Sequence, residues 1–111
     1  MPNKSDLDVR RAHLIEMETL MNEALIQEKK LDAAIQVMRD LPQLVMPLLD
    51  WMDSGEWLKD YDLDATGAFQ DISRGSLSED GLYDLITSLD ERTKELEQLC
   101  QTYQKKTQAP E

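Results

Sequence analysis

From Asp6 to Leu41 the apolar residues recur three and four positions apart, with no glycine or proline between them. A heptad counted from Leu14 puts Leu14, Met17, Met21, Ala24, Glu28, Leu31, Ile35 and Met38 on one seam, and Glu28 is its one polar member. This is a helical period, not the strict alternation of a strand. Leu20, Ala34 and Leu41 broaden one side of the seam, as on a helix that touches two neighbours. The pattern predicts a helix over 6–41, roughly 50 Å long at about 1.5 Å per residue. A helix that thin is unstable alone in water, so its stripe requires a cover.

Pro42 predicts a break, because a proline pushes the preceding residue out of the helical region. A short helix over about 43–53 follows, with Leu44, Val45, Leu48, Leu49 and Met52 inward, beginning nearer Val45 if Pro47 occupies its first turn. Ser54-Gly55 reads as its C-terminal stop. Residues 54–77 read as an irregular segment, with a helical turn at Glu56–Tyr61 and turn chemistry from Asp62 to Gly67. Ser78 reads as the N-cap of a last helix over about 79–105, and Ser76 with Glu79 offers a competing capping box. The last seam is Leu82, Leu85, Leu89, Arg92, Leu96, Leu99 and Tyr103, with Arg92 its one charge. Lys105 and Lys106 suit the negative end of that helix, and the tail over 106–111 is expected to fray. The pattern therefore predicts one all-α domain over 1–111: a three-helix, coiled-coil-like bundle in which two long helices pair and the short one caps an end.

Composition agrees, since only 5% of residues are aromatic and only four are glycine. Charge adds more. Residues 42–84 hold ten acids against Lys59 and Arg74, a balance of -8, out of -11 for the whole chain. Such a surface repels phosphate backbones and anionic membranes, so direct nucleic-acid or membrane binding is not expected, and basic protein surfaces are favoured. Cys100 is the one cysteine, which excludes an internal disulfide and a thiolate zinc cluster. The start has no basic-then-apolar layout, and the longest apolar stretch is six residues, Leu44 to Leu49 with Pro47 inside it. The expected compartment is the cytoplasm.

The run Ser54-Gly55-Glu56-Trp57-Leu58-Lys59-Asp60-Tyr61-Asp62-Leu63-Asp64, with Gly67, and the run Arg74-Gly75-Ser76-Leu77-Ser78-Glu79-Asp80-Gly81-Leu82-Tyr83 stand apart from the seams. Together they resemble a family of small bacterial proteins catalogued only as a domain of unknown function. Its pattern is S-x-x-W-x-x-D-Y-x-x-D-x-x-G, then R-G-V-L-S-E-D-G-x-x-x-L. Ser76 departs from the valine of that pattern, and Ala68-Phe69-Gln70 from a leucine-proline. The resemblance covers 54–85 and implies a bacterial source and a helical fold, but no activity.

Two readings of the acidic, aromatic segment stay open. Trp51, Trp57, Tyr61, Phe69 and Tyr83 either form a local mini-core or expose an aromatic anchor inside an acidic rim. On the second reading Trp57, Asp60, Tyr61, Asp62 and Asp64 are the partner-binding surface. A weaker alternative is a calcium or magnesium site on Asp62, Asp64 and Thr66. It lacks the bidentate glutamate that ends a calcium loop, because Ser73 stands there. Arg74 reads as an ion-pair partner of Asp60, Asp62 or Asp71. Glu28 and Arg92 meet if the long helices are antiparallel neighbours, and otherwise snorkel to the seam's edge. His13 reads as solvated and Cys100 as half-buried, without the positive surroundings of a catalytic thiol.

No cofactor and no catalytic group is expected. The reading is a non-enzymatic protein-interaction or regulatory module with a basic partner, able to self-associate through its methionine-bearing seams. The alternatives are a divalent-cation module and an acidic mimic of nucleic acid that occupies a basic protein.

Overall fold

The computed structural model describes residues 3–78 and 80–108. Among them there are three α-helices, α1 (Lys4–Asp53), α2 (Glu56–Asp64) and α3 (Gly81–Thr107), one 3-10 turn (Gly75–Leu77), and no strand. The fold is all-α, with two long helices and a short one. The chain divides into two compact units, Met1–Leu44 and Val45–Glu111.

Asn3 starts α1: its side-chain oxygen accepts the Asp6 N–H at 2.9 Å and its carbonyl accepts the Leu7 N–H at 3.2 Å. This cap satisfies donors that a helix start leaves unpaired. The helix then continues for 50 residues, about 75 Å at the standard rise. The break expected at Pro42 is absent, and the separate helix over 43–53 is the C-terminal part of α1. Each proline deletes one ladder bond, leaving the carbonyl four residues earlier without its donor. Met38, Pro42, Gln43 and Pro47 are all exposed, so water can satisfy those carbonyls. The Leu44–Leu49 stretch supplies helix-compatible apolar neighbours on either side, and the helix survives.

In the first unit every side chain from Asn3 to Asp40 is exposed. The seam is no exception, with Leu14 at 60% and Leu31 at 62%.

The second unit holds what core there is. Leu77 and Leu82 are buried, and Val45, Leu48, Leu49, Trp51, Trp57, Phe69, Ile86 and Leu89 are half-buried around the same unit. Leu44 and Met52, expected inward, stay exposed. Helix α1 ends where Ser54-Gly55 was expected to stop it: the Ser54 N–H reaches the Asp50 carbonyl at 3.0 Å, and Gly55 turns the chain at φ 84°. Only glycine adopts that conformation without a steric penalty. Ser54 also works as a bridge, donating from Oγ to the Trp51 carbonyl and accepting the Glu56 N–H.

The run from Glu56 onward is more ordered than its sequence suggests, since all of Glu56–Asp64 is helix. The 3-10 turn packs against both α2 and α3. Ser78 Oγ accepts the Gly81 N–H at 3.0 Å. However, α3 starts at Gly81 and its N-cap is Asp80, whose side chain makes no capping bond, so the N-cap expected at Ser78 lies two residues too early. A side chain at position 81 would collide with that same Ser78 hydroxyl, which is why a glycine stands there. The competing capping box involves Glu79, which lies outside the described residues. At the far end Lys105 and Lys106 occupy the last turn of α3, as expected, and the helix reaches Thr107. The frayed tail expected over 106–111 therefore begins inside the helix, and its last three positions lie outside the described residues.

Candidate functional site

The aromatic and acidic residues of the second unit are joined by hydrogen bonds that cross between elements. Near the end of α1, Trp51 donates its ring N–H to Asp60 of α2 at 2.8 Å. At the second position of α2, Trp57 donates its ring N–H to the backbone carbonyl of Ser76 at 2.9 Å. Trp57 and Tyr61, four residues apart on one helix face, stack with ring centres 5.2 Å apart and planes at 20°. Arg74 closes the other side by pairing with Asp64 at 3.0 Å. The two tryptophans thus act as pins, burying ring area while their polar edge finds an acceptor.

This geometry sorts the five residues expected at a partner surface. Trp57 and Tyr61 are half-buried and stacked, Asp60 accepts from Trp51, and Asp64 is held by Arg74. Asp62 alone of the five is exposed. Arg74 was expected to pair with Asp60, Asp62 or Asp71, and instead chooses Asp64. The 3-10 turn begins beside Arg74, and the guanidinium reaches the C-terminal end of α2, where Asp64 stands.

The three residues of the cation alternative are arranged otherwise than in a calcium loop. Asp62 and Asp64 belong to α2, and the Thr66 hydroxyl donates to the Leu63 carbonyl at 2.6 Å. Among the described residues no three His, Cys, Asp or Glu side chains are grouped so as to hold a metal ion.

Tyr83 differs from Trp51, Trp57, Tyr61 and Phe69 in being exposed, at 65%. It borders a cleft of about 250 Å³ lined by Met52, Trp57, Asp80, Leu82 and Tyr83. The cleft has an apolar floor, two aromatic walls and one carboxylate. The sequence places Tyr83 in the aromatic group and Met52 among the inward residues of the short helix, but points to neither Met52 nor Asp80 as part of a site. Their positions in the chain, 28 residues apart, give no local signal. His13 is exposed as expected, whereas Cys100 is exposed rather than half-buried. Arg92 bends back along α3 to the carbonyl and hydroxyl of Ser88.

Fold and site together define a helical chain whose acidic, aromatic segment is tied down by its own tryptophans. The chain belongs to the family described as Domain of unknown function (DUF4298), whose model matches residues 14–98. No curated protein and no solved structure matches it. No helix among the described residues is long and apolar enough to cross a membrane.

Proposed function

We propose that the chain is a non-enzymatic interaction module of the bacterial cytoplasm, which presents the acidic segment 42–84 to a basic protein surface. The observation that supports this reading is the state of the segment's two cations. Lys59 is paired with Glu56 and Arg74 with Asp64, so neither offsets the remaining acids. Asp50, Asp53, Asp62, Asp71, Asp80 and Asp84 are all exposed. An uncompensated field of one sign steers an oppositely charged partner and raises its rate of encounter.

The cleft gives the partner a place to dock. An arginine or lysine stem suits its apolar lining, with the charged head near Asp80 and the exposed ring of Tyr83 at hand for cation–π contact. Asp62 then belongs to the acidic rim, while Trp57, Tyr61, Asp60 and Asp64 hold the surface in shape.

The test is fluorescence anisotropy with a labelled arginine-rich peptide, titrated at several salt concentrations. Wild type should bind, and its affinity should fall steeply as salt rises. Tyr83→Ala and Asp80→Asn, both at exposed positions, should each weaken binding about threefold to tenfold. Asp62→Asn should act mainly through the salt dependence. Unchanged affinity in both cleft variants, or equal binding of an acidic peptide, defeats the proposal.

A further inference from the structure

The start of α3 holds a carboxylate that the fold leaves unused. Asp80 is the N-cap, a position from which an aspartate side chain ordinarily accepts an N–H of the first turn. It makes no such bond, and the Ser78 hydroxyl takes the Gly81 N–H in its place. Asp80 is exposed and joins no ion pair among the described residues, whereas Asp60 and Asp64 are engaged by Trp51 and Arg74.

The cleft that Asp80 lines is poor in other acceptors. Met52 and Leu82 bring no oxygen, and an indole brings only an N–H, which Trp57 already gives to the Ser76 carbonyl. The side-chain oxygens of the lining therefore belong to Asp80 and Tyr83. A lysine ammonium is compact and strongly hydrated, and its donors point in several directions, so entering such a cleft leaves some of them unmet. A guanidinium is flat and more weakly hydrated. Its face can lie on an aromatic ring while its edge donates to a carboxylate. Tyr83 supplies an exposed ring three residues on from Asp80, a spacing that makes neighbours on a helix surface. A methylated ammonium instead calls for a cage of several ring faces, and one face of Trp57 is taken by its stack with Tyr61.

We infer that the cleft is an arginine pocket, which selects an arginine side chain of the basic partner over a lysine. This rests on the interaction reading above and adds a choice of side chain to it. An acidic field draws both cations alike, and only the pocket tells them apart.

Competition anisotropy on the full chain tests the choice. Unlabelled competitors of equal length and charge, carrying arginine, lysine or trimethyl-lysine at every basic position, displace the labelled arginine-rich peptide. The arginine competitor should be at least about threefold more effective than either of the others. Tyr83→Ala should bring the three within about twofold of one another, Asp80→Asn should narrow the gap, and Tyr83→Phe, which keeps a ring, should preserve it. Asp62→Asn, outside the cleft lining, should weaken all three together. Equal displacement by arginine and lysine, still sensitive to salt, overturns the inference and leaves the acidic surface standing. A preference that survives both Tyr83→Ala and Asp80→Asn, or a trimethyl-lysine peptide that competes best, overturns it as well. Failure of the labelled peptide to bind at all defeats both readings.

Discussion

Residues 3–44 and residues 45–108 both carry apolar residues at helical spacing, yet only the second group encloses any of them. In the first unit a single helix presents its stripe with nothing of that unit to lay it on. In the second, the chain reverses at Gly55 and again between Asp64 and Gly81, and the returning segments bury Leu77 and Leu82. Periodicity makes a helix in both cases. Only the turns, and the tryptophan bonds that hold them, make a core.

The difference is open to measurement, beginning with the largest effect. Leu82→Ala removes one of the two buried side chains and should destabilise the second unit by about 2–4 kcal/mol, read as a lower urea midpoint by near-UV circular dichroism. The same change at Leu14, 60% exposed, should stay within about 0.5 kcal/mol in a monomeric sample. Equal effects at the two positions would break the contrast. Trp51→Phe keeps an aromatic side chain but loses the indole N–H, leaving part-buried Asp60 without its donor, for an expected loss of about 1–2 kcal/mol. Gly81→Ala displaces the Ser78 hydroxyl from its bond with the residue 81 N–H and should lower stability by about 1 kcal/mol, with helix content falling at the start of α3. Arg74→Gln should be mildest, at most about 0.5 kcal/mol, because the arginine side chain is 43% exposed and water screens the pair. Its loss should shrink further in high salt.

Much of the helical content was legible from spacing alone, because a three-four rhythm has few alternatives. The family was legible from the two motif runs. Pro42 misled, since a proline in an exposed helix forfeits one bond and a hydrated carbonyl absorbs the loss. The irregular reading of Glu56–Asp64 failed for another reason. A short helix rich in aspartate has weak local propensity, and it is held by Trp51 and Arg74 reaching in from elsewhere and by its own Trp57 reaching out to Ser76. Those bonds span 9, 19 and 10 residues and leave no periodic trace. Trp57 was read either as part of a local mini-core or as an anchor for a partner, and its ring N–H is spent on the Ser76 carbonyl.

The exposed prolines of α1 carry a further consequence for how the helix melts. A helix propagates because each closed amide bond lowers the entropic penalty of the next, and a residue without an N–H interrupts that chain of cooperation. Pro42 and Pro47 place two such interruptions five residues apart, on either side of the junction between the units at Leu44 and Val45. Amide exchange along α1 should therefore divide into two blocks with separate opening energies, the C-terminal one sharing its protection with α2 and α3. The longest element of the fold would then behave, on the timescale of opening, as two helices that melt separately.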